Sequence, residues 1–175
     1  MIRENPAFLK EQIITYLGNK RALLDFIAQG LNYAKSELKK DKISFLDTFS
    51  GSGVVSRFAK AYANYIITND LEDYSRVINE CYLANVGADE FKALQAYHQK
   101  LALQKGDLKK GFLSALYAPK NEKNIQKDDR VFYTQENALY LDSMRLKIGR
   151  EIPPEWQHFF IAPLIYEASV HSNTS

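Results

Sequence analysis

The stretch FLDTFSGSGVVSRFAK, Phe45 to Lys60, decides the fold. Apolar residues from Ile43 to Leu46 read as a buried strand, which Asp47 closes. A short loop holding Gly51 and Gly53 follows. Val54, Val55, Phe58 and Ala59 then recur at helical spacing, predicting a helix to about Ala63. Strand, glycine loop and helix in this order bring backbone N–H groups and a helix N-terminus up to a bound ligand. Glycine serves there because a side chain at either position would block close approach or forbid a positive φ. An ordinary tight turn between strand and helix fits the same residues. Ser56 stands where the dinucleotide fingerprint has its third glycine, and the segment has no Gly-Lys-Ser/Thr phosphate loop.

Upstream, Ile13 to Tyr16 is apolar and leads into YLGNKR. Leu23, Leu24, Ile27, Leu31, Ala34 and Leu38 then form one helical stripe, which Gly30 weakens without ending. Downstream, Tyr65 to Thr68 predicts a second short buried strand that ends in Asn69 and Asp70. Asp70 stands 17 residues after Gly53, near the spacing of about 20 expected of an acid at the tip of a second strand that binds a ribose. Asp70 also suits the cap of the next helix, with Glu72 and Asp73 in its first turn. That helix carries Val77, Ile78, Cys81 and Tyr82 on one face.

After Val86-Gly87 the pattern changes. Phe91, Leu94, Tyr97 and Leu101 mark a helix, and Leu108, Phe112, Leu113 and Leu116 mark another. A minimal βαβ unit would go straight to its third strand, so residues 86–130 read as a helical and loop insertion. Its end, Ala118 to Arg130, is polar. Val131 to Thr134 predicts a third strand, and Glu136 to Ile148 a helix. Pro153-Pro154 suits the start of a last helix whose core candidates are Trp156, Phe159, Phe160, Leu164 and Ile165, with Pro163 bending it.

At 175 residues the chain has room for one domain, and 46% hydrophobic residues supply a core. A net charge of +2 neither demands nor opposes a nucleic-acid partner. A single cysteine, Cys81, excludes an internal disulfide framework and fits a reducing compartment. It reads as a small buried hydrophobe rather than a catalytic thiol. No apolar run approaches the roughly 18 residues that span a bilayer, and the polar N-terminus MIRENPAFLKEQ is no signal peptide. A cytoplasmic protein without a membrane partner is expected. His98, His158 and His171 are scattered, so no metal site is expected. The lysines at 105, 109, 110, 120, 123 and 127 read as a solvated face, although they also suit phosphate tracking.

YLGNKR, LDTFSGSGVV and YIITND, in this order, resemble the S-adenosylmethionine-dependent DNA adenine methyltransferases of the Dam and FokI type. VFYTQENALYLDSMR and FFIAPLIYEASVHSNTS are similar to the FokI-type branch. The resemblance implies an α/β fold: a Rossmann-like methyltransferase sheet with helices on both faces, here incomplete and carrying the 86–130 insertion within a single partial domain, residues 1–175. It implies S-adenosylmethionine as cofactor. The aromatic-x-Gly-x-Lys segment, here Tyr16, Gly18 and Lys20, would hold the methionine end. Asp47, Phe49, Gly51 and Gly53 match the cofactor loop, and Asp70 matches the ribose acid with Asn69 beside it. Gln135, Glu136 or Asn137 would touch the adenine ring. The cofactor's chemistry asks for the same groups: an acid for the diol, N–H groups for the carboxylate, an aromatic wall, and a cation such as Lys20.

The family's chemistry also uses Asp or Asn, Pro, Pro, then Tyr, Phe or Trp. These residues accept the amino hydrogens and stack on a base flipped from the duplex. In EIPPEW, Ile152 precedes and Glu155 follows the prolines, so neither acceptor nor platform is there and no catalytic residue is assigned. The expectation is a cofactor-binding front half of a DNA adenine methyltransferase of restriction-modification type, truncated or split and inactive alone. Its DNA partner would be met through the complete enzyme. An exposed sheet edge would favour self-association or a second chain carrying the catalytic half. The alternative is a non-catalytic DNA- or partner-binding module on the same fold. A nucleotide-dependent oxidoreductase rests on the glycine loop and Asp70 alone and leaves YLGNKR unexplained.

Overall fold

A computed structural model describes residues 5–11, 13–14 and 20–173. The chain divides into two compact units, Met1–Asn85 and Val86–Ser175.

The first unit is built on two parallel strands, β1 (Ile43–Asp47) and β2 (Ala63–Thr68). Their register pairs Phe45 with Ile66, Leu46 with Ile67 and Asp47 with Thr68. A short N-terminal helix α1 (Pro6–Lys10) precedes them, then a 3-10 turn Lys20–Leu23 and helix α2 (Leu24–Leu38). Helix α2 ends where Lys39 adopts a left-handed φ of 51° and the N–H of Lys40 returns to the Lys35 carbonyl, a closure that satisfies otherwise orphaned carbonyls. Helix α3 (Val54–Ala59) crosses between the strands, and α4 (Asp73–Leu83) follows β2.

Leu24 and Leu31 of α2, Ile43 of β1, and Val54 and Phe58 of α3 form one buried cluster, with Phe45 packed against it. Both helices therefore lie on the sheet face that carries Ile43 and Phe45. On the opposite face Leu46, Tyr65 and Ile67 are exposed, so among the described residues of this unit helices on both faces are not seen.

Helix α3 stops at Ala59, short of the expected Ala63. The N–H groups of Lys60, Ala61 and Tyr62 each return to the carbonyl three residues back. That tight winding ends the helix and frees Ala63 to enter β2 opposite Ile43.

In the second unit, α5 (Ala88–Lys100), α6 (Phe112–Leu116), α7 (Gln135–Glu151) and α8 (His158–Val170) follow in order. Leu101, Ile148 and Ile152 form its core, with Tyr97, Met144, Trp156, Phe160 and Leu164 against them. Leu108 lies outside α6, which has only five residues. The buried Asp142 of α7 caps α6 by accepting from the N–H groups of Leu113 at 3.0 Å and Ser114 at 2.8 Å. Pro154 begins a 3-10 turn to Trp156 ahead of α8.

The expected third strand at Val131–Thr134 does not form. Its backbone is engaged elsewhere: Tyr133 N–H donates to the Tyr117 carbonyl, and Asn173 donates to the carbonyls of Phe132 and Val131. Thr134 is the N-cap of α7, accepting from Asn137 N–H at 3.1 Å. The residues have strand-like composition, but strand propensity expresses side-chain packing against a neighbouring strand.

Cys81 sits half-buried on α4, and burial pushes its thiol up to about 12. Iodoacetamide at pH 8 should therefore label Cys81 in the folded protein more than about 100-fold slower than in the unfolded chain, because only the thiolate reacts. Equal labelling rates would contradict this placement.

Candidate cofactor site at the end of the parallel pair

Hydrogen bonding between the strands runs on beyond them. Asn69 N–H donates to the Asp47 carbonyl at 2.8 Å, and Ser50 N–H donates to the Asn69 carbonyl at 3.0 Å. The glycine loop and the acid after β2 are thereby drawn to one end of the sheet. Gly51 and Gly53 take left-handed φ values of 50° and 72°, which suit glycine. Gly51 N–H donates to Asp70 Oδ2 at 2.7 Å, and Glu72 N–H donates to Asp70 Oδ1 at 3.1 Å. Asp70 thus both faces the loop and tethers the turn into α4. The bond from Gly51, then that from Glu72, hold its carboxyl below the usual carboxylate range, with the Lys20 ammonium adding to the effect. A carboxylate accepts at about four lone-pair positions, so Asp70 keeps capacity beyond these two backbone donors.

Asp47 has a different task. Its Oδ2 accepts from Ser56 Oγ at 2.6 Å, and Ser56 is fully buried. The serine at the third-glycine position ties α3 to the end of β1, a bond glycine would not make. Asn69 donates from Nδ2 to the Thr48 carbonyl at 3.0 Å, bracing the loop. Phe49 is 80% exposed and Leu71 96% exposed, the one in the loop and the other next to Asp70. Lys20 opens the turn before α2. Tyr16 and Gly18 lie outside the described residues.

A buried polar cluster supports the loop from α4. Ser75 Oγ and Ser50 Oγ are 3.2 Å apart, and Asn79 Nδ2 donates to Ser50 Oγ at 3.2 Å and to the Ser75 carbonyl at 2.9 Å. Asn79 Oδ1 has no hydrogen-bond partner among the described residues and faces Gly53: a Cβ added there would lie 2.6 Å from it. Sequence reasoning missed Ser75, Asn79 and Leu71. The signal for the first two was their place on the buried stripe of α4, one turn apart and flanking Ile78. For Leu71 it was a lone leucine between Asp70 and Glu72-Asp73.

Gln135, Glu136 and Asn137 form the first turn of α7 in the second unit. The Gln135 side chain donates to the carbonyls of Ser114 and Pro119, and its N–H donates to Glu122. His171 pairs with Glu167 at 3.1 Å. Among the described residues, no group of three or more His, Cys, Asp or Glu is arranged to hold a metal ion. Nor is any helix among them long and apolar enough to cross a membrane.

Residues 16–168 match the family model of D12 class N6 adenine-specific DNA methyltransferases, and the chain belongs to that family. It is 26% identical over 167 residues to the type II methyltransferase M.NlaIII of Neisseria lactamica, a match covering 93% of this chain and 47% of that protein. It is 30% identical over 171 residues to the modification methylase LlaI of Lactococcus lactis subsp. lactis, covering 91% of this chain and 26% of the relative. The type II methyltransferase M.FokI of Planomicrobium okeanokoites is 27% identical over 137 residues, covering 77% and 20%. The chain thus spans about half the length of one of these relatives and about a quarter or less of the other two. No solved structure matches it.

Proposed function

We propose that the first unit binds S-adenosylmethionine as the cofactor-holding part of a DNA adenine methyltransferase. The observation that carries this reading is the 2.7 Å bond between Gly51 N–H and Asp70 Oδ2, which puts the loop and the acid in one grip. The residues fit the cofactor chemically. Asp70 has acceptor capacity for a ribose diol, and Leu71 and Phe49 offer apolar surface for an adenine ring. Lys20 supplies a cation for a carboxylate. Tyr16 and Gly18 join it on the strength of their sequence pattern, and the parallel pair is the start of a Rossmann-like sheet.

When bound, the cofactor supplies an electrophilic methyl group. This chain's own residues orient it: the glycine loop lets backbone approach, and Asp70 fixes the ribose. Accepting protons from an adenine amino group is a separate task. Pro153 and Pro154, flanked by Ile152 and Glu155, offer neither acceptor nor stacking ring, and we assign them no catalytic part. The partner is DNA and the setting the cytoplasm, as suits a modification enzyme.

Calorimetric titration with S-adenosylhomocysteine tests this reading. Saturable one-site binding is expected, and absence of heat alone or beside a chain carrying the Asp-Pro-Pro-Tyr type of motif counts against it. DNA binding that is independent of cofactor and steep in salt would instead favour a non-catalytic module.

A further inference from the structure

The second unit carries a cluster of rings around one guanidinium. Phe112 and Tyr117 lie 5.5 Å apart between ring centroids, as do Tyr117 and Phe132, and Arg130 stands over the Tyr117 ring at 5.2 Å. Phe112 is 64% exposed and Phe132 41% exposed, so the two outer rings face solvent. The backbone that carries them is held tightly. Asp142 caps α6, and a Cβ added at Gly111 would lie 2.7 Å from its carboxyl carbon. The Gln135 side chain donates to the carbonyls of Ser114 and Pro119, and Tyr133 N–H donates to that of Tyr117. A helix of five residues has no independent stability. These bonds hold α6 in place with Phe112 exposed at its first position.

Charge around the rings is uneven. From Lys109 to Tyr133 the chain has six cations and three acids, which leaves a positive surplus. Two of the acids are engaged with backbone: Glu122 accepts from Gln135 N–H at 2.7 Å and Asp129 from Gln126 N–H at 2.9 Å. The third, Asp128, is exposed. None of the six cations forms an ion pair among the described residues. Lys110 is exposed and stands two residues before Phe112, and Arg130 stands two before Phe132. Rings alone would suit a protein partner, and cations alone a solvated face. Rigid exposed rings bordered by unpaired cations fit a polyanion that also offers flat apolar faces, which is a nucleic acid.

We propose that Lys110, Phe112, Arg130 and Phe132 form a DNA-contacting surface of the second unit, the cations on phosphates and the rings against sugars or bases. This surface rests on the reading of the chain as part of a DNA adenine methyltransferase, and it uses no residue of the cofactor grip.

The test follows fluorescence anisotropy of a labelled DNA duplex of about 20 base pairs with the whole chain, from about 50 to about 200 mM salt. Micromolar binding is expected at the low end. Lys110→Gln combined with Arg130→Gln should weaken it at least about tenfold and lower the slope of log Kd against log salt by about 1–2. If that pair does not fold, Lys110→Gln alone should weaken binding at least about threefold and lower the slope by about 1. Phe112→Ser should weaken it at least about threefold at an unchanged slope, because a ring contact releases no counterion. Lys92→Gln combined with Lys100→Gln removes two exposed cations of α5 instead and should stay within about twofold. Equal losses in the two paired variants mean diffuse attraction and overturn the surface, as does wild-type affinity after loss of Lys110 and Arg130. In both cases retained S-adenosylhomocysteine binding leaves the cofactor reading standing. A wild-type chain that binds no duplex also overturns the surface, and loss of self-association in Phe112→Ser would then give the rings to a protein partner.

Discussion

Replacing Gly53 by alanine is expected to destabilise the first unit by about 2–4 kcal/mol. The left-handed conformation costs an L-residue about 1–2 kcal/mol, and each hydrogen bond lost at Asn79 costs about 1 kcal/mol more. The φ of 72° is one source of this cost. The other is Asn79, whose Oδ1 would lie 2.6 Å from the new methyl group. Asn79 is buried and its amide nitrogen is bonded to Ser50 and Ser75, so it has little room to yield. Gly30→Ala is the control. A Cβ at Gly30 meets nothing within 4 Å, and the residue lies inside α2, so alanine should stabilise by about 0.5–1 kcal/mol. Thermal melts of both variants should move in opposite directions. A Gly53→Ala protein that melts with wild type would refute the tight fit between loop and α4.

The second large effect is on binding. Asp70→Ala should weaken S-adenosylhomocysteine binding by about 1–3 kcal/mol, through loss of charge-assisted hydrogen bonds to the ribose. Asp70→Asn keeps an oxygen for Gly51 N–H and loses the charge, so it should fall between. The carboxyl is held below its usual range by Gly51 and Glu72. It therefore stays ionised at pH 5, and wild-type affinity should not fall between pH 7 and pH 5 through Asp70. Because the alanine variant also removes the acceptor for the buried Gly51 N–H, its melting temperature must be measured alongside. An unchanged affinity in a folded Asp70→Ala protein removes Asp70 from the site.

The parts of this site that could be read from sequence are those whose chemistry is local. Two glycines between a strand and a helix, and an acid after the next strand, carry their backbone meaning with them. The supports could not be read, because a polar side chain in a helix looks like surface until its neighbour is known. Nothing local in VVSRFAK marks Arg57, and it is buried against carbonyls from residues far upstream in the chain. Ser75 and Asn79 lie on the buried stripe of α4 beside Ile78, but only the fold shows that what they meet there is Ser50. Ser56 reads as a departure from a glycine fingerprint, yet it holds Asp47. Val131–Thr134 failed for the converse reason: its residues suit a strand, and Tyr117 and Asn173 take the backbone groups a neighbour would need.

The central claim is that Asp70 and the Gly51–Gly53 loop grip one adenosyl ligand. Backbone amide resonances followed during titration with S-adenosylhomocysteine test it most directly. The amides of Gly51, Gly53 and Leu71 should shift together along one binding curve, and Asp70→Ala should move that curve to higher ligand concentration by the same about 1–3 kcal/mol, roughly 5- to 150-fold. Saturable binding that leaves these three amides unmoved would contradict it.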